Sequence, residues 1–183
     1  MSSSGAPRLI LGIESMIFKA SAKGEMQIGP IRVPAALGKG GVRPAKDKRE
    51  GDGSSPAGVW PIRRVLYRAD RGRAPKTALP VQPIAPDDGW CDDTADPNYN
   101  RPVEHPYPAS AERLWRRDGL YDIVVVLGHN DDPPVPGLGS AIFLHIAQPD
   151  YAPTEGCAAL SREDLERLLE MAAPGDAVEI ALD

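Results

Sequence analysis

The chain has 183 residues, enough for one domain with a sizeable core, and 42% hydrophobic with 26% charged residues is an ordinary globular balance. A net charge of −5 and a pI near 5.2 argue against a nucleic-acid backbone as partner. No apolar run approaches the roughly 18 residues of a membrane span, and two cysteines, Cys91 and Cys157, are too few for a disulfide framework.

The N-terminal "MSSSGAPRLILGIES" lacks a charged start followed by a long apolar core, so no signal peptide is expected and the chain is either cytoplasmic or without its leader. Strand-like runs then follow at 8–14, 26–37, 58–68, 121–130, 140–147 and 176–183, short, β-branched and separated by Gly, Pro and Asp. "VVVL" and "AIFL" are continuously apolar and belong in the centre of the fold. Residues 69–108 are rich in Pro and Asp and lack periodicity, too long for a plain connection. Two helices are predicted. "SAERLWRRD" (110–118) is short, whereas 161–175 has Ser161 as N-cap and Asp164 at N3. In that second helix Leu165, Leu168, Leu169 and Ala172 share a face, and Pro174-Gly175 stops it. The expected fold is a single mostly β (α+β) domain over 1–183 with two or three short helices.

The candidate chemistry lies in "AIFLHIAQPDYAPTEGCAAL". Cys157 follows a polar turn and Gly156, which is an unusual setting for a core cysteine. A thiol attacks as thiolate, so it needs a base or a positive field. His145, on a central strand, is a candidate base, and the helix beginning near Ser161 is expected to turn its positive end toward the sulfur. Gly156 lets backbone amides approach closely, as an oxyanion hole requires. On spacing alone, a buried cysteine with a satisfied histidine remains the stronger reading, and a nucleophile with its base the alternative. Zinc ligation by His129, His145, Cys91 and Cys157 is disfavoured because none falls in a C-x2-C or H-x3–5-H pair. Calcium at "PDDGWCDDTADP" is disfavoured by its ligand spacing. No metal and no cofactor are expected. A papain-like enzyme places Cys before His, and a sortase has an Arg on the strand after its Cys, where this chain is expected to turn helical.

The segment "SAIFLHIAQPDYAPTEGCAAL" resembles the catalytic signature of the L,D-transpeptidases (the YkuD-like domain), in which a strand ending in His precedes [S/T]-x-G-C. "KREGDGSSPAGVWPI" is similar to the family's glycine-rich strand entry, and "GWCDDTADPNYN" resembles a compact proteobacterial branch. The resemblance runs from about Leu9 to Leu182. It implies a β-sandwich or barrel in which Cys157 is the nucleophile, His145 its base, the amides at Gly156 and Cys157 the oxyanion donors, and Thr154 the residue that shapes the loop. It departs from many members at Glu155, where they have His, and at Ala159, where they have Arg or Asn.

The resemblance further implies peptidoglycan stem peptides as partners, with attack before a terminal D-Ala and transfer of the acyl group to an amine or to water. An open, acidic mouth at Glu155 and Ala159 favours the amine. Trp90, Asp92, Tyr99 and Asn100 are the candidate substrate-facing wall, with Asp92 and Asp93 suited to an ammonium group. A carbapenem is expected to acylate Cys157. Cys91 is expected as a free thiol near Trp90. The site of action would be the periplasm, with the cytoplasm as alternative, and the expected state is a monomer.

Overall fold

The computed structural model describes residues 15–182. The run at 8–14 lies outside them, and the first strand described is β1 (Ile17–Ser21). Its alternation sends Phe18 and Ala20 inward and leaves Ile17 and Lys19 facing out. β2 (Glu25–Ile28) and β3 (Ile31–Pro34) form a hairpin, so the strand expected over 26–37 is in fact two. The reason is Gly29-Pro30, where Gly29 takes a φ of 53°, a turn conformation cheap for glycine. β4 (Val42–Pro44) and a single turn of 3-10 helix (Ala45–Asp47) lead to β5 (Ser55–Tyr67), the longest strand and the spine of the sheet.

β6 (Val81–Pro83) pairs with β5, after which the chain leaves the main sheet for a small one. There β7 (Asp88–Cys91) lies between β8 (Pro102–Glu104) and β9 (Ala111–Arg113). This corrects two expectations. The 69–108 segment is not structureless, and the helix expected at 110–118 is β9 followed by turns. Gly89 and Trp90 pair with Arg113 and Glu112, and this ladder overrides a weak helical pattern. Trp115 lies under the Arg68 guanidinium, 3.5 Å from its centre, instead of on a helix face.

The chain returns as β10 (Ile123–Leu127), β11 (Phe143–Ile146) and β12 (Ala158–Leu160), then α1 (Arg162–Met171) and β13 (Ala177–Ala181). Hydrogen-bonded neighbours run β12-β11-β10-β5-β13-β1-β2-β3. The segment after β3 then meets β12 through reciprocal Ala36–Ala159 backbone hydrogen bonds of 2.9 Å, and the sheet curls into a nearly closed barrel. Among the described residues α1 is the one α-helix. Ser161 caps it by accepting from the Asp164 N–H at 3.1 Å, and its hydroxyl donates to the Asp164 carboxylate. Leu165, Leu168 and Leu169 are wholly buried against the barrel interior, so truncating Leu168 to Ala is expected to cost about 2–5 kcal/mol.

β10 explains its own unbroken apolar run. Ile123, Val125 and Leu127 point into the barrel, while Val124 and Val126 point into a second core with Trp90, Leu114 and Tyr121 from the small-sheet region. Both faces are covered, so no position is left polar. Phe143 joins the second core while Leu144 joins the first. By the same alternation His145 stands on the outer side of the barrel wall, beneath the small sheet.

Candidate active site

β11 and β12 are parallel neighbours, with His145 in register with Ala159. Cys157 stands immediately before β12 and packs into the second core. Its sulfur donates to the Ala141 carbonyl at 3.2 Å and accepts from the Phe143 N–H at 3.4 Å. Cys157 and His145 both line one cavity of about 490 Å³. Three strand residues separate Cys157 from the helix, contrary to the expected loop–helix junction. A helix dipole fades within about one turn, so α1 is not the source of a positive field at the sulfur.

The loop before Cys157 is held on both sides. Thr154 Oγ1 accepts from the Gly156 N–H at 3.1 Å and donates to the Cys157 carbonyl at 2.7 Å. Ser55 Oγ donates to the Gly156 carbonyl at 2.8 Å and accepts from the Gly38 N–H at 2.9 Å. Gly156 has a φ of 133°, and a β-carbon there would stand 2.8 Å from the Ser54 carbonyl oxygen. Only glycine fits that place.

His145 is buried, and its Nδ1 lies 2.9 Å from the Ile146 carbonyl. A carbonyl can only accept, so Nδ1 carries the proton and Nε2 keeps the basic lone pair. Burial lowers the imidazole pKa to about 4, against a partial lift from that carbonyl. Burial pushes the Cys157 thiol up to about 12, with the Glu112 carboxylate adding to the rise. At neutral pH both groups are therefore uncharged, a thiol beside an imidazole.

The expected substrate wall divides. Asp92 lines the cavity, and its Oδ1 is buried without a hydrogen-bond partner. Trp90, Tyr99 and Asn100 do not reach the cavity; they are buried supports beneath it. Trp90 packs edge-on against Phe143 at 5.1 Å and donates to Asn100 Oδ1 at 2.9 Å. Asn100, at a φ of 56°, also accepts from the Ala141 N–H and donates to the His129 and Asn130 carbonyls. It thereby fixes Ala141, itself at a φ of 51°, whose carbonyl receives the sulfur's hydrogen bond. Tyr99 donates to Glu50 and accepts from the Gly139 N–H. Four bonds consume the polar edge of Asn100, which a sequence reading treats as free.

Cys91 is a buried free thiol, and so is Cys157. His129 packs edge-on against Trp60 at 4.7 Å, and among the described residues no three His, Cys, Asp or Glu side chains are placed to hold a metal. Glu155 is exposed at the mouth but paired with Lys39 at 2.8 Å, so the charge expected there is compensated. Lys48, Glu50, Glu112, Arg116 and Tyr121 also line the cavity and were not foreseen. Tyr121 had a usable signal, standing just ahead of the "IVVVL" run. Glu112 was hidden by the misread helix.

The sequence model of the YkuD family, the L,D-transpeptidase catalytic domain, matches residues 23–180. The chain belongs to that family. Its members are cysteine-dependent L,D-transpeptidases, and the match takes in Thr154, Gly156, Cys157 and His145 together. Similar solved structures include L,D-transpeptidase 1 of Mycobacterium tuberculosis, with 12% identity over 91% of this chain and 59% of that one, at a TM-score of 0.41. An L,D-transpeptidase of Mycobacterium smegmatis has 12% identity over 91% and 58%, at 0.42. L,D-transpeptidase 3 of Mycobacterium tuberculosis, in complex with a faropenem-derived adduct, has 16% identity over 91% and 60%, at 0.42. The chain thus spans about three fifths of the length of these proteins. No curated protein matches it. Among the described residues no helix is long and apolar enough to cross a membrane.

Proposed function

We propose that the protein is a peptidoglycan L,D-transpeptidase acting in the cell envelope, with Cys157 as nucleophile and His145 as its base. The observation that carries this is the shared cavity, in which His145 keeps Nε2 unprotonated while Cys157 presents a neutral thiol. The substrate is a tetrapeptide stem, cut between meso-diaminopimelate and the terminal D-Ala.

Because both groups rest uncharged, proton transfer and attack are coupled. The thiol proton passes to Nε2 as sulfur bonds to the scissile carbonyl carbon. The Gly156 N–H is already committed to Thr154. The Cys157 N–H is therefore the candidate donor for the oxyanion. Collapse breaks the C–N bond, and the imidazolium returns its proton to the departing D-Ala amine. The thioester is then taken by an amine of a neighbouring stem, either the diaminopimelate side chain or L-Ala, giving a cross-link. Capture by water would give an L,D-carboxypeptidase, and the cavity, open to solvent, admits that second fate.

Incubation with purified disaccharide-tetrapeptide, resolved by mass spectrometry, tests the reading. Dimers lighter by one D-Ala are expected. Tripeptide monomers alone would make the protein a carboxypeptidase, and unchanged substrate would leave a wall-binding module without catalysis.

A further inference from the structure

The second half of the reaction raises a proton problem. An amine acceptor arrives in water mostly as ammonium, whose nitrogen must shed two protons to become an amide nitrogen. His145 can relay only one of them, the proton released as nitrogen attacks the thioester, which it passes to the departing Cys157 sulfur. The first proton must leave the ammonium before attack, and it needs a different acceptor.

Glu112 on β9 stands on the wall of the same cavity as Cys157 and His145. Tyr121 donates to its Oε1 at 2.5 Å, and Arg116 stands 3.8 Å from the same oxygen. Both contacts fall on Oε1, so Oε2 is left for a ligand. The Tyr121 ring is in turn wedged edge-on against His145 at 5.2 Å and lies under Arg116 at 4.8 Å. The carboxylate is thus fixed to the same packed unit as the base. The charged groups facing it are Arg116 on its own segment and Asp92 and Glu50 from across the cavity. Arg116 is engaged by Asp118, and Lys48 by Asp52, so both cations of the wall have carboxylate partners of their own.

Resting on the transpeptidase reading above, we propose that Glu112 is the general base that takes the first proton from the ammonium acceptor. The ammonium N–H bond breaks toward Oε2, leaving a neutral amine and a carboxylic acid. The amine nitrogen bonds to the thioester carbon, its second proton passes to Nε2 of His145, and the C–S bond breaks as that proton reaches sulfur. Glu112 then releases its proton to solvent, so the net change is one amide, one thiol and one proton. Burial, with Asp92 and Glu50 nearby, lifts the Glu112 carboxyl above the ordinary glutamate range, toward the strength such a base needs. The Tyr121 hydrogen bond and Arg116 hold it back from being permanently protonated.

The test measures how the acyl-enzyme divides between two fates. Wild type, Glu112→Gln and Glu112→Asp are given a tetrapeptide stem as donor and glycinamide as acceptor, and the ratio of amide to hydrolysed tripeptide is read by mass spectrometry. That ratio does not depend on how fast the acyl-enzyme forms. At about pH 6 only about one α-amine in a hundred is unprotonated, so Glu112→Gln, which can still accept from Tyr121, should lower the ratio about ten- to a hundredfold. Glu112→Asp should recover part of it. At about pH 9 the bulk amine is already neutral, and the deficit should vanish. An unchanged ratio at the lower pH, or an equal deficit at both, would overturn the assignment. Wild-type protein that forms no acyl-enzyme would instead overturn the transpeptidase reading on which it rests.

Discussion

The barrel wall from β10 to β12 and the small sheet from β7 to β9 meet at the cavity, but they are built on different terms. The wall is made of short runs whose burial is written in their own residues. In β10 all five residues are buried, and β11 alternates cleanly between two cores. The small sheet has strands of three or four residues, each holding its place through partners far along the chain. The wall supplies the sulfur and the imidazole, and the small-sheet region supplies the carboxylates and the aromatic props. Chemistry that depends on strand parity is therefore robust, whereas chemistry that depends on cross-sheet pairing is set by context.

The largest expected effect lies on the wall. Cys157→Ala should abolish acylation and turnover while the protein still melts cooperatively, since a small side chain replaces another and only the two sulfur contacts are lost. His145→Ala should slow acylation by about 10²- to 10⁴-fold. In the wild type the acid limb of acylation should sit near pH 4, because His145 stays neutral down to that value. A limb near the ordinary histidine value, about 6.5, would mean that the ring is less buried than described.

The same two-region contrast governs stability. His129 and His145 both have pKa values lowered to about 4 from 6.5 by burial, so the folded chain binds fewer protons than the unfolded one between those values. Stability should be full above pH 6.5 and fall as pH drops toward 4. Thermal melts across that window, repeated on His129→Gln, should show a shallower decline in the variant.

In the small-sheet region the effects should be smaller and of another kind. Asn100→Ala strands buried partners on Trp90, Ala141, His129 and Asn130, and should cost about 2–4 kcal/mol in chemical denaturation. Acylation should slow only as far as Ala141 shifts. Asp92→Asn, on the cavity wall, should raise KM for the tetrapeptide several-fold and leave Tm nearly unchanged. If Asn100→Ala raised KM at full stability, the region would be a substrate wall after all.

What could be read from the sequence follows the same division. Leu165, Leu168 and Leu169 announce α1 because a helical face is a local pattern, and "VVVL" announces a strand covered on both sides. The hairpin at Gly29-Pro30 carried its turn signal within a run that looked continuous. Glu112 could not be placed, because Leu114 and Trp115 suggest a helix until Gly89 is known to pair with Arg113. The His145 and Cys157 readings needed only parity and a loop. Trp90, Tyr99 and Asn100 were misjudged because aromatic and amide side chains in a polar segment look exposed, and only the fold turns them inward.

The central claim is that Cys157, served by His145, is the residue that carries the acyl group. Intact-mass analysis after incubation with a carbapenem, followed by peptide mapping, tests it most directly. One adduct is expected per chain, on the peptide containing Cys157, with none on Cys157→Ala and slow formation on His145→Ala. An adduct on Cys91, or one that persists in Cys157→Ala, would contradict it.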